Sequence, residues 1–175
     1  MISFLSVVIT LAVSQDPGAK ERPSFTFVKQ PYFFRYSKNN LAEYTPKKQT
    51  DLNKWTEMVT VNTYSQAKDG EALAKIANNT LALYKEYSAM IVKSDSKPRT
   101  EKSPAEHLII AIFPQEKYTE VSFARFLLKG GRGYSLVASH RAYGEKSRDE
   151  ISYWVIKNSG KYETELMGMT SIPSR

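Results

Sequence analysis

His107 and His140 are the only histidines in the 175-residue chain, and it has no cysteine. Thiolate nucleophiles, disulfides and thiolate metal sites are therefore excluded. The two histidines do not share a zinc-binding spacing, and no acidic run has the spacing of a metal loop, so neither a metal nor another cofactor is expected. His107 opens an apolar segment and reads as a core or strand-end histidine. His140 stands beside Arg141 where a strand runs into a loop, a better place for chemistry, but no serine or cysteine nucleophile motif accompanies it. No catalytic residue is assigned. Glu57, Glu120, Asp149 and Glu150 show no pairing across a cleft, and the last two read as first-turn charges of a helix. Gly130-Gly131-Arg132-Gly133 could cradle a phosphate only if a helix followed it. A strand follows, so the glycines mark a hairpin tip.

Trp55 and Arg125 are the residues whose surroundings pose a question. Both lie among apolar neighbours, and an arginine in the series Val121, Phe123, Arg125, Leu127 on one strand face needs an acidic partner if it is buried. Either it pairs within the framework or it lines a cleft. Trp55, Arg125, His140 and Arg141 together form the candidate ligand or partner surface.

The elements that must position them follow from periodicity. Tyr32 to Tyr36 and Leu41 to Thr45 flank the polar tetrad Ser37-Lys38-Asn39-Asn40 and read as a hairpin that Pro46 ends. Trp55 to Tyr64 reads as a strand whose pleat puts Trp55, Glu57, Val59, Val61 and Thr63 on one face. Leu73, Ile76, Ala77, Thr80, Leu81 and Tyr84 recur at helical steps behind Asp69, a fitting N-cap. Strands follow at 89–93, 107–113, 118–129 and 134–140, with a charged loop over 94–104. Ser147 and Glu150 have the spacing of a capping box for a second helix, which Gly160 is expected to end near Ser159.

The order βββαββββα with short connections predicts an α+β fold: a largely antiparallel sheet of about six to seven strands covered by two main helices. The apolar run Ile2 to Val13 is too short to span a bilayer and reads as a secretory signal over residues 1–14, followed by a linker over 15–24. Residues 25–160 form one α+β domain, and 161–175 read as a flexible tail. Export to the periplasm or beyond is the compartment this implies, with no transmembrane segment in the mature chain. Hydrophobic residues make up 41% of the sequence, enough for a packed core. The net charge is +7, with a basic excess between Lys20 and Lys54 but no basic arm. That pattern supports weak electrostatic attraction to nucleic acid or anionic lipid, not specific nucleic-acid recognition.

Leu41-Ala42-Glu43-Tyr44-Thr45, then Asn53-Lys54-Trp55-Thr56-Glu57-Met58-Val59-Thr60-Val61, resembles the opening of small exported bacterial proteins with an "EY" strand followed by an "NWTEM-TV" strand. Ser122 to Leu128 is similar to that group's later strands. The group is similar in layout to the PsbP-like and DcrB-like α/β/α sandwiches, mostly accessory envelope proteins. The chain departs from it in lacking cysteines around the middle strands and in having Lys54 between Asn53 and Trp55. The resemblance implies a fold and an envelope compartment and leaves function open. With the export-like start and the missing nucleophile and metal inventory, the leading expectation is an accessory or binding protein of the envelope without catalytic activity, a monomer whose partner is an envelope protein or small ligand. The alternatives are an enzyme with a site near His140 and Arg141, or the weak electrostatic binder.

Overall fold

The computed structural model describes residues 22–101 and 103–174. The signal over 1–14 and most of the 15–24 linker lie outside the described residues. The elements are β1 (Phe25–Phe27), β2 (Gln30–Lys38), β3 (Leu41–Pro46), β4 (Glu57–Tyr64), α1 (Gly70–Glu86), β5 (Met90–Lys97), β6 (Glu106–Pro114), β7 (Tyr118–Lys129), β8 (Arg132–Tyr143) and α2 (Ser147–Gly168). The eight strands form one sheet in the order β1-β2-β3-β4-β8-β7-β6-β5, antiparallel throughout. The α+β class and two helices match expectation; the strand count is higher because β1 pairs onto β2. Two meanders, β1 to β4 and β5 to β8, thus meet along a single seam between β4 and β8.

Alternation along the strands gives each face its own helix. Val59 and Val61 of β4, Val121, Phe123 and Leu127 of β7, and Leu136 and Ala138 of β8 pack under Ile151, Tyr162 and Leu166 of α2. Ala124 and Phe126 of β7 and Ile109 of β6 point the other way, under Leu73 and Ala77 of α1. Asp69 caps α1 as expected, its Oδ1 accepting from the Ala72 amide at 2.9 Å. α1 packs chiefly on β6, β7 and β5, with Val137 of β8 against the edge of its cluster. Over β2, β3 and β4 that same face carries no helix among the described residues.

Three expectations fail at α2 and before β4. Ser147 is the first helical residue instead of the cap, and its buried hydroxyl bonds Thr119 Oγ1 at 3.0 Å; a capping box needs that hydroxyl free for the backbone. Gly160 does not end α2, which runs on to Gly168 and makes 161–168 helix instead of tail. A mid-helix glycine costs about 1 kcal/mol against alanine, less than the ~1.5–3 kcal/mol gained by burying a side chain such as Leu166 just beyond it. Met169 and Ile172 then pack on the same core. Trp55 precedes β4 and does not share the Glu57 face.

Candidate functional site

Registers across the uncovered half of the α1-side face lay out its side chains in rows. Glu43 and Thr60 follow one another across β3 and β4, in a row that runs on to Val137 and Ala124 beneath α1; Met58, Ser139 and Ser122 form the next row; Arg141 and Glu120 the next; Tyr143 and Tyr118 the last. This floor is polar and aromatic where a helix-covered floor would be aliphatic. Tyr84 of α1 walls one side, its ring edge-on to Phe113 at 4.8 Å. Burial pushes the Tyr84 hydroxyl up to about 12. It lies near Ser122, whose buried Oγ has no hydrogen-bond partner among the described residues. The opposite wall is the segment from 47 to 56, which carries Trp55. We call the region between these walls the trough.

The 47–56 segment is tied down from three sides. Gln49 Oε1 accepts from the Thr56 and Glu57 amides at 2.7 and 2.9 Å. Arg35 Nε donates to Thr45 Oγ1 at 2.9 Å and Arg35 Nη2 to the Lys47 carbonyl at 3.2 Å, and Thr45 Oγ1 donates to the Gln49 carbonyl. The Tyr143 hydroxyl accepts from the Trp55 amide at 3.2 Å and donates to the Trp55 carbonyl at 2.8 Å.

Arg141 is the centre of the trough end. Its guanidinium lies over the Trp55 ring at 3.9 Å and the Tyr118 ring at 4.2 Å, and its Nε donates to Glu120 Oε2 at 2.7 Å. Two aromatic faces attract the cation while Glu120 fixes its rotation, so the planar fork has one orientation. Glu43 faces the same guanidinium through space. Burial holds its carboxyl above the ordinary carboxylate range, with the Arg141 charge pulling it down by less.

His140, one residue earlier, points to the other side of the sheet because successive side chains alternate. Its Nδ1 donates to Glu57 Oε1 at 2.6 Å, the Tyr162 hydroxyl donates to Glu57 Oε2 at 2.7 Å, and the Tyr32 hydroxyl lies within reach of the Glu57 charge. The imidazole stacks on Trp154 at 4.2 Å and 8°. Burial first, then the Glu57 charge, pushes the Tyr32 and Tyr162 hydroxyls well above the usual tyrosine value. This cluster ties β2, β4, β8 and α2 together under the helix.

Arg125 sits on that α2 side too, with only 6% of its side chain exposed. Its Nε and Nη2 grip the two Glu106 oxygens at 2.9 Å each, and Nη1 donates to the Leu166 and Met169 carbonyls at 2.8 Å. It is a framework clamp that caps the end of α2, not a cleft residue. Of the four candidates, the structure brings Trp55 and Arg141 together and places His140 and Arg125 on the opposite face. Sequence reasoning missed Glu43 and Tyr118 and set Glu120 aside, although Tyr118 and Glu120 share one face of their strand. His107 lies at the β5–β6 edge, its Nδ1 2.7 Å from Ser96 Oγ.

A concavity of about 380 Å³ opens on the α2 side and is lined by Asp95, Lys97, Leu108, Glu163 and Met167. Its charges are already matched, since Lys93 Nζ reaches Glu163 at 2.5 Å and Asp95 at 3.8 Å. Among the described residues no group of three or more histidine and acidic side chains is placed to hold a metal ion, and no helix is long and apolar enough to cross a membrane. Compared with known proteins, the chain matches no family model and no curated protein.

Proposed function

We propose that this chain is an accessory or binding protein of the cell envelope, without catalytic activity, which receives its partner in the trough. The observation that carries the reading is the polar, aromatic floor over β3, β4 and β8 beside α1. A sheet face packed by the protein itself is apolar, whereas this one sets buried Met58, Ser122 and Ser139 beside partly exposed Glu43, Thr60, Glu120 and Arg141, and its walls are pre-set by internal hydrogen bonds. Fixed walls and a fixed arginine lower the ordering cost of association. The apolar Ile2–Val13 run supports export, and the sandwich layout with a helix on each face supports the likeness to PsbP-like and DcrB-like envelope proteins.

Thr60 lies at the middle of the floor and is partly buried, so Thr60→Trp places a large side chain over the floor. Affinity capture from an envelope extract should recover a partner with the native chain and lose it with Thr60→Trp at unchanged melting temperature. Equal capture by both sinks the trough as the binding face. The Glu57-oriented imidazole of His140 favours a second reading, an enzyme using Nε2 as a base. A hydrolase substrate screen comparing the native chain with His140→Ala separates the two, since only the enzyme reading yields turnover that the substitution removes.

A further inference from the structure

We infer that the open edge of β5 pairs antiparallel with β5 of a second copy of this chain, joining the two sheets about a twofold axis at Ser94. β5 ends the sheet, and residues 90–97 make no backbone hydrogen bond outside their ladder with β6 among the described residues. Their outward amides and carbonyls are therefore an open template for another strand. The edge is apolar as well. Of the six large hydrophobic side chains exposed in the described residues, four lie here: Leu83 and Tyr87 at the end of α1, and Met90 and Val92 at 60% and 47% exposure. Scattered exposed apolar residues need no explanation, whereas a cluster of them marks an association surface.

The charges choose the occupant and its register. Lys93 and Asp95 lie opposite Ile110 and Leu108, so both project to the α2 side of the sheet. A twofold axis perpendicular to the sheet keeps that side common to both copies. Centred on Ser94, it sets Lys93 across from the second copy's Asp95 and Asp95 across from the second copy's Lys93. Centring it on Lys93 or on Asp95 instead puts like charges face to face, which destabilises a cross-strand pair. Centring it on Ser96 matches Asp95 with Lys97 but sets Lys93 against Arg99, beyond the end of the strand. Asp95 is available for the match: its side chain is 63% exposed, and Oδ1 takes the Ser96 amide at 2.8 Å while Oδ2 stands 3.8 Å from its own Lys93. Lys93 Nζ has three donors and reaches Glu163 with one of them.

Lysines and a bulge commonly defend an edge strand against pairing, and β5 has both, its register with β6 shifting between Ile91 and Lys93. Here they select a partner. A strand with no acid at the matching place leaves Lys93 facing an unsuitable group, whereas β5 read in reverse supplies Asp95 there. The bulge lies outside the Lys93 to Asp95 core of the register, so it bends the ends of the pair without breaking its centre. Exposed ion pairs add little energy and serve to fix the register, while backbone bonds and the apolar cluster hold the copies together. Val92 then comes near the second copy's Ser96, and Met90 near the second copy's Pro98. The edge takes no part in the trough, so this inference stands or falls apart from the binding reading.

The test is sedimentation equilibrium of the full chain and its charge-swapped variants. The native chain should sediment as a dimer. Lys93→Asp and Asp95→Lys each set like charges opposite one another and should weaken association about tenfold or more. The double variant restores opposite charges and should regain the dimer, as should an equimolar mixture of the two single variants, which pair only with each other. Recovery in the mixture cannot come from misfolded chains, so it separates the interface from the loss of the Lys93 contact to Glu163. A second measurement needs no charge change. The chain has no cysteine, so Ser94→Cys introduces a single thiol at the axis, and mild oxidation should link it to its own copy. Ser96→Cys should not cross-link, because its two copies stand roughly 13 Å apart at ~3.3 Å per residue. A native chain still monomeric at about 0.1 mM, as the sequence alone leads one to expect, overturns the inference. So does association unchanged in the single variants, a mixture that fails to pair, or equal cross-linking at the two serine positions.

Discussion

Arg125→Met removes a buried guanidinium and leaves an apolar side chain of similar reach. Four hydrogen bonds go with it, two to Glu106 and one each to the Leu166 and Met169 carbonyls. Removing one partner of a buried ion pair costs ~3–5 kcal/mol. Glu106 is 21% exposed and can turn toward water, which recovers part of that. The two carbonyls at the end of α2 lose their donor, at ~1 kcal/mol each when water replaces it poorly. The sum is about 3–4 kcal/mol, equivalent to a melting temperature lower by roughly 10 °C for a domain of this size. Urea unfolding followed by tryptophan fluorescence measures it, with the slope unchanged if the native state stays compact. Hydrogen exchange should accelerate selectively in the last turn of α2. Adding Glu106→Leu should restore about half the loss, because it removes the orphaned carboxylate but not the orphaned carbonyls. A cost below about 1 kcal/mol, or a double variant no better than the single one, refutes the clamp.

Three further outcomes are expected. Glu43→Gln should raise the melting temperature at pH 7 and leave it unchanged at pH 4: a carboxyl whose folded value lies above its unfolded one keeps its contribution below the unfolded value and loses it as pH rises through the folded one. Thermal scans across that range, with equal curves at pH 7, would show Glu43 to be unstrained. Tyr162→Phe should cost about 1.5–3 kcal/mol at neutral pH by removing a bond to the charged Glu57, yet flatten the loss of stability above pH 10, where the unfolded chain's tyrosines ionise and the folded Tyr32 and Tyr162 resist. An alkaline melting series decides it. Gly133→Ala would place a Cβ 2.7 Å from the Ala67 Cβ, so it should destabilise by about 1–3 kcal/mol, and Ala67→Gly should recover most of that in a chemical denaturation cycle.

The hairpin of β2 and β3, the α1 stripe and the long β7–β8 hairpin were legible because each is a local pattern. Gly130 and Gly131, both at positive φ, make the β7–β8 turn the sequence announces. β1 was hidden because its turn uses Val28 and Lys29 at φ of 50° and 62°, where a β-branched residue is not what turn chemistry favours. β5 runs to Lys97, beyond the strand expected over 89–93, because its pairing with β6 carries Ser94, Asp95 and Ser96, residues that alone read as loop. At the site, Arg125 was recognised as needing an acid, but its two carbonyl partners belong to a helix extension that Gly160 concealed. His140 and Arg141 looked like neighbours in one site; only their place inside a strand, not at its end, sends them to opposite faces. Glu43 gives no signal of its own, since its burial depends on strands that meet only in the folded sheet.

The seam between β4 and β8 joins residues as far apart as Glu57 and His140, 83 positions along the chain. Each meander is built from neighbouring hairpins and can form early, whereas the seam must close a long loop before any of its contacts repay the entropy. Both polar assemblies straddle it: the trough on one side, with its floor split between β3–β4 and β7–β8, and the Glu57 cluster on the other. The expected order of folding is therefore meanders first and seam last. Refolding watched by Trp55 and Trp154 together should show neither fluorophore reaching its final environment before the seam closes, and an early native Trp55 signal would contradict that order. A nascent or partly unfolded chain then has secondary structure but neither the assembled trough nor the Glu57 cluster, so both are late features of folding.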